Sequence, residues 1–207
     1  YNVLAPNLID LNAYGLIDII CNFTVYDFDN NTQSANATLH VNTVNSRSAA
    51  DQNTLYRNSS CSRLTPIDYF TNFSCTFSVQ YFANNGTWYC NATGIDSSSA
   101  TTTNISNAAI INPLIAIKID SILDFGQLGA SSISNDTLSN ITNVGNRNAN
   151  ISVKGYGVTE NDGLAMTCDN GNIPVNFEKY DSLNGTAYPS MTALTSASTM
   201  IRNFYVF

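Results

Sequence analysis

Charge is scarce in this sequence: charged residues make up 11% of its 207 positions, against a usual share of roughly 25%. The eight basic residues are scattered and outnumbered by fifteen acidic ones, giving a formal net charge of -7. A phosphate backbone needs a clustered basic face, so nucleic acid is excluded as a partner. Long apolar runs are also missing. The longest, residues 108–119, contains Asn112, Pro113 and Lys118 and falls well short of the roughly 20 residues that span a bilayer, so no membrane span is expected. Neither an initiating Met nor a leader-like start is present, which reads as a chain whose leader has been removed, and there is no long N-terminal apolar helix of the pilin kind. His40 is the single histidine, so a His-based metal cluster is excluded. Gly-x-Ser-x-Gly, His-Glu-x-x-His and glycine-rich phosphate loops are absent. The reading is of a protein that is not an enzyme and holds no cofactor.

Asn, Ser and Thr fill the space that charge leaves. N-x-S/T sequons stand at Asn22, Asn30, Asn36, Asn58, Asn72, Asn85, Asn91, Asn104, Asn135, Asn140, Asn150 and Asn184. Their placement is informative, because a strand sends alternate side chains to opposite faces. In Cys21-Asn22-Phe23-Thr24-Val25 that period puts Cys21, Phe23 and Val25 inward and both sequon residues outward. The same parity recurs around Asn72, Asn91 and Asn150, making these four the firmest candidates for N-linked glycans.

Helical periodicity is nearly absent, and short alternating runs are separated by Asn, Asp, Gly and Ser clusters, which predicts an all-β chain. Strands are expected near 18–26, 37–43, 73–81, 86–94 and 101–105, which with residues 1–10 form a first immunoglobulin-like β-sandwich over residues 1–108. The junction is expected at 107–113, where Pro113 resists a central strand. A second sandwich over 109–207 takes strands near 114–124, 139–144, 149–157, 164–168, 173–180 and 200–207. That is six strands where seven are usual, so this module is expected to lack its final strand.

Five cysteines in a sequon-rich chain predict an oxidising compartment and a disulfide framework. In an immunoglobulin-like module the inter-sheet bridge would join Cys21 to Cys90, leaving Cys61 for Cys75. The rival pairing joins Cys75 to Cys90 and Cys21 to Cys61. Cys168 is left unpaired, either as a buried thiol or as half of a bridge to a chain continuation.

Weaker signals remain. His40 is expected outward on a polar strand. Asp27, Asp29 and Asn31 have the spacing that starts a calcium loop but lack the glycine and final Glu that complete one, so Asx turns are expected instead, and no metal. Glu160 and Asp162 flank a turn. Tyr26, Tyr56, Tyr69 and Trp88 are candidates for an exposed aromatic platform, against the alternative that they fill the core.

Four stretches carry a resemblance: Gly86-Thr87-Trp88-Tyr89-Cys90-Asn91-Ala92-Thr93, residues 119–128 with Leu123-Asp124-Phe125-Gly126, Ile141-Thr142-Asn143-Val144-Gly145-Asn146, and Gly163-Leu164-Ala165-Met166-Thr167-Cys168-Asp169. They resemble secreted, Asn-rich surface proteins of archaea, in which the second module continues into a further strand with a cysteine. More loosely, the two-sandwich layout is similar to archaeal thread and bundling-pilus subunits, which polymerise when one subunit's extended strand completes the next subunit's sheet. The resemblance implies an extracellular structural subunit of a filament or surface coat, its partners being copies of itself. Residues 1–10 would be the donated strand. The alternative is a cell-surface adhesin or carbohydrate-binding ectodomain.

Overall fold

The computed structural model describes residues 2–129 and 131–204 and is all-β: among them the regular elements are strands and two 3-10 turns, Val175–Phe177 and Tyr188–Ser190. No helix is long and apolar enough to cross a membrane. The chain divides into two compact units, the first comprising 2–116 with Val144–Arg147 and the second Ile117–Asn143 with 148–204.

The first unit is a two-sheet sandwich. Its strands are β1 (Asn2–Leu4), β2 (Leu8–Ile9), β3 (Leu16–Tyr26), β4 (Thr32–Val41), β5 (Leu55–Asn58), β6 (Ser62–Arg63), β7 (Phe70–Gln80), β8 (Gly86–Asp96), β9 (Thr101–Ile105) and β10 (Ala109–Ile111). One sheet runs β1-β3-β7-β6 and the other β2-β10-β8-β4-β5, with β9 and β10 following one another along the same side of β8. This is the strand order of an immunoglobulin-type sandwich, with β3 and β8 in the places that carry the inter-sheet bridge.

Alternation builds the core. Ile19, Cys21, Phe23 and Val25 of β3 and Phe73, Cys75, Phe77 and Val79 of β7 point inward against Ala35, Ala37 and Leu39 of β4 and Trp88, Cys90 and Ala92 of β8. Phe23 and Phe73 face each other in register with rings stacked at 5.5 Å. Small residues lie across from them, and Gly94 is one by necessity, since a Cβ there would sit 2.7 Å from Val25 Cγ2. Cys21 is bonded to Cys90 across the sheets, with Cα atoms 6.5 Å apart, and Cys61, in the connection between β5 and β6, to Cys75 of β7 at 4.5 Å. Trp88 stands two residues before Cys90, where a sandwich of this type often has a tyrosine bonded back to upstream backbone. Its indole N–H does that work here, donating to the Asn84 carbonyl at 2.8 Å.

The described part of the expected donor segment is not a free strand. Over the described residues 2–10, β1 pairs with β3 and β2 runs parallel to β10, so the segment crosses from one sheet to the other. Val3 and Ile9 are buried in the core, while Leu8 is 60% exposed. The sandwich consumes its own N-terminal strand because that strand's apolar residues already find a complete groove in the same chain.

The first unit also extends past the expected junction, since Ala109–Ile111 is a strand of the larger sheet. Residues 144–147 return to it. Asn146 is buried and fully bonded: its Oδ1 accepts from the Leu114 amide at 2.6 Å, and its Nδ2 donates to the Ala83 and Asn112 carbonyls at 3.0 and 3.1 Å. Gly145 lies so close to Leu114 that a Cβ would come within 2.3 Å of its carbonyl oxygen.

The second unit departs from the expected sandwich. Its strands are β11 (Ile117–Lys118), β12 (Thr142–Asn143), β13 (Ala149–Val153), β14 (Leu164–Thr167), β15 (Asn172–Pro174), β16 (Lys179–Tyr180), β17 (Thr192–Ala193) and β18 (Thr199–Phe204). They form four separate two-stranded ribbons, not two facing sheets, and the expected strand 114–124 shrinks to two residues. The expected strand 173–180 is broken after Pro174 by a 3-10 turn, consistent with a proline that has no N–H to offer a ladder. Ala149 and Ile151 are its buried apolar side chains among the described residues. Its local order comes from polar groups instead. The Asp162 carboxylate accepts the amides of Gly157, Val158, Thr159 and Leu164, which holds its pKa well below the usual carboxylate range. Of the expected last strand, 205–207 lie outside the described residues.

Candidate functional site

Three connections of the first unit meet at one end of the sandwich. Tyr26, the last residue of β3, pairs with Phe70, the first of β7, and Thr32 at the start of β4 pairs with Asp96 at the end of β8. The loop 27–31, the turn 67–70 and the turn 97–100 therefore share that end, the position that carries recognition loops in immunoglobulin variable domains. Backbone bonds tie them together: the Asp27 amide donates to Tyr69 O at 2.9 Å and the Ser97 amide to Asn31 O at 3.1 Å.

Local chemistry explains each turn. The Asp27 carboxylate accepts the amides of Asp29 and Asn31 and the Thr32 hydroxyl, and the Thr32 bond is the largest cause of its lowered pKa. Asn30 takes the left-handed conformation, φ 54°, which Asn tolerates better than most residues. Asp96 Oδ1 accepts the amides of Ser98 and Ala100, both at 2.8 Å. The possible half-calcium loop is thus an Asx-type turn whose carboxylate is already satisfied, and no cluster of metal-ligating residues occurs among the described residues.

On these turns sits an aromatic cluster open to solvent. Phe28, 74% exposed, stacks on Tyr69 at 5.5 Å with planes 6° apart, and Tyr26 contacts Tyr69 at 6.3 Å and Phe70 at 5.1 Å. Ile67 extends the apolar surface. Beside it lies a hollow of 140 Å³ lined by Tyr26, Asp27, Thr32, Asp96 and Thr101 among others. Tyr26 and Tyr69 are therefore brought together, while the other two aromatic candidates are core. Trp88 is fully buried, and Tyr56 places its hydroxyl between the Gln52 carbonyl, as donor, and the Gln80 amide, as acceptor. Phe28 and Phe70 escaped sequence reasoning; the one available signal was an apolar ring set between two aspartates, Asp27-Phe28-Asp29.

The remaining sequence candidates lie elsewhere. His40 points outward by parity but is only 7% exposed, its Nδ1 donating to the Val41 carbonyl at 3.0 Å, because its face of the larger sheet is covered. Cys168 is a free and exposed thiol on the β14–β15 turn rather than a buried one. Glu160 pairs with Lys154 and not with Asp162. Asn22, Asn30, Asn135, Asn140, Asn150 and Asn184 are exposed, whereas Asn36, Asn58, Asn72, Asn85, Asn91 and Asn104 are half-buried. Asn72 and Asn91 are thus both less open than their strand parity implies. No protein-family model matches the chain, and no curated protein is similar to it.

Proposed function

We propose that this chain belongs to an extracellular binding protein, not an enzyme, and that the aromatic loop end of its first unit recognises carbohydrate on a neighbouring surface. The observation that carries this reading is the solvent-open cluster of Tyr26, Phe28, Tyr69 and Phe70 beside a hollow edged by two aspartates and three threonines. Aromatic faces take the apolar faces of sugar rings, and the polar rim left accessible, Asp96 with exposed Thr101 and Thr102, takes the sugar hydroxyls, the division of labour seen in small-ligand sites. Cross-linking by two disulfides supports an oxidising compartment, and the sequons are consistent with it. Screening the intact protein on an oligosaccharide array beside Phe28→Ser and Tyr69→Ser variants tests the reading. Both residues are exposed, so the variants should keep the wild-type stability and lose binding; undiminished binding would refute the assignment.

A second reading, a structural subunit of a filament or surface coat built by strand complementation, is favoured by the second unit. Its two-stranded ribbons leave edges open, and Ile122, Leu128, Phe177 and Leu183 are exposed. Strands of another copy would cover both. Donation by residues 2–10 is not part of this reading, because those residues already pair within their own sandwich. Negative-stain microscopy of native material distinguishes fibres or lattices from single particles.

A further inference from the structure

The outward sequons of the first unit come in reciprocal pairs, one on each sheet. Across β3 and β7, Asn22 stands opposite Ser74 and Thr24 opposite Asn72. Across β4 and β8, Asn36 stands opposite Thr93 and Thr38 opposite Asn91. Parity treats these four asparagines alike, but what lies over them differs. On the outer face of the four-stranded sheet Asn22 and Thr76 are exposed, and Thr24, Asn72 and Ser74 are half-buried. Thr24 donates to Asn72 Oδ1 at 2.6 Å, and among the described residues the Asn72 Nδ2 has no partner, so it can serve as the acceptor for a sugar. The corresponding face of the larger sheet is covered by the protein itself. Asn36, Thr38, Arg57 and Asn91 line a polar groove of 190 Å³ together with Ser46 and Arg47 of the β4–β5 loop. There the Asn91 Nδ2 donates to Ser46 Oγ at 3.1 Å, the Arg57 guanidinium donates to the Ser48 carbonyl, and Thr38 is only 9% exposed.

We propose that N-linked glycans occupy Asn22 and Asn72 and are excluded from Asn36 and Asn91, so that sugar covers one sheet and the β4–β5 loop covers the other. In the transfer, Nδ2 loses one hydrogen and bonds the anomeric carbon of a lipid-linked oligosaccharide, and the lipid phosphate leaves with the electrons of the bond it breaks. The transferase reaches the chain before its sheets close, so the fold decides whether a glycosylated chain can still form them, as it can at exposed Asn22 and at half-buried Asn72, whose Nδ2 no described group holds. At Asn91 a sugar would stand where Ser46 sits, and the loop could not close. A glycan on the four-stranded face also removes that face from protein contact, which leaves the aromatic end free to bind.

The test passes the full chain through a eukaryotic secretory pathway, which supplies donor and transferase whatever the protein's natural compartment, so its outcome is independent of the proposed binding function. Enzymatic release in heavy-oxygen water followed by peptide mapping of the disulfide-bonded protein should find Asn22 and Asn72 occupied in most copies and Asn36 and Asn91 in almost none. Asn22→Gln and Asn72→Gln should each remove one glycan's mass, whereas Asn91→Gln should remove none. Sugar on Asn36 or Asn91 of the folded protein, loss of a glycan's mass in Asn91→Gln, or an unmodified Asn22 would overturn the proposal.

Discussion

Replacing the two bonded cysteine pairs one at a time should destabilise the first unit unequally. Cys21–Cys90 closes a loop with a sequence separation of 69, and Cys61–Cys75 one of 14 nested inside it. On the chain-entropy account, the inner bridge costs about 3 kcal/mol to lose and the outer about 4 kcal/mol, even after the inner link shortens the outer loop to roughly 55 residues. The native-state costs are similar, because in both cases the sulfurs come from residues at or near full burial, so the difference should survive the cavities left by Cys→Ala. Trp88, the single tryptophan, is buried in this unit and reports its unfolding alone. Urea titration followed by its fluorescence should therefore place the midpoints in the order wild type, Cys61→Ala/Cys75→Ala, Cys21→Ala/Cys90→Ala. The reverse order would refute the assignment of the outer bridge as the link between sheets, and a variant with an altered slope would show that the denatured chain, not the bridge, had changed.

Asn146→Ala strands the Leu114 amide and two carbonyls, and at about 1–3 kcal/mol for each buried group left unpaired it should cost roughly 3 kcal/mol, read by the same fluorescence titration. Gly145→Ala should be destabilising as well, since its Cβ meets backbone and not a side chain that can move aside. Burial, aided by Asp51, pushes the Tyr56 phenol up to about 12 against the opposing Gln80 amide. Because the folded value lies above the ordinary one, its contribution is complete below about pH 10 and is lost as pH rises through about 12, so phenolate absorbance should reveal one late-titrating tyrosine that Tyr56→Phe abolishes. Of the five cysteines, Cys168 alone should react with an aromatic disulfide reagent in the folded protein; reaction of a second thiol would contradict the pairing.

Much of the first unit was legible from its alternation. β3, β7 and β8 fall close to where period two places them, because each carries an unbroken inward apolar row between outward polar residues. β4 starts at Thr32, five residues before its expected beginning, because outward Gln33 and Ser34 read as loop when their strand partners are unknown. The fate of the N-terminal strand was not legible: Val3 and Ile9 suit any sheet edge, and nothing local distinguishes the chain's own edge from a neighbour's. The second unit was over-read for a related reason. Alternation around 114–124 marks residues able to pair, but a long strand also needs an equally long partner and a facing sheet, and among the described residues only Ile117–Lys118 finds a partner, in β12. In the candidate site, Trp88 shares its parity with Cys90 and so belonged to the core, whereas Phe28 lies in a loop, where no periodicity exists to place a side chain.

Backbone-amide NMR of the first unit's signals, recorded in the full chain during titration with an oligosaccharide that the array selects, tests the central claim most directly. Binding at the aromatic end should move the signals of residues 26–32, 67–70 and 96–101 together, in proportion to occupancy, and leave those of β5 and β6 at the far edges of the two sheets unchanged. Shifts confined to the sheet edges, with 26–32 and 67–70 unmoved at saturation, would contradict it.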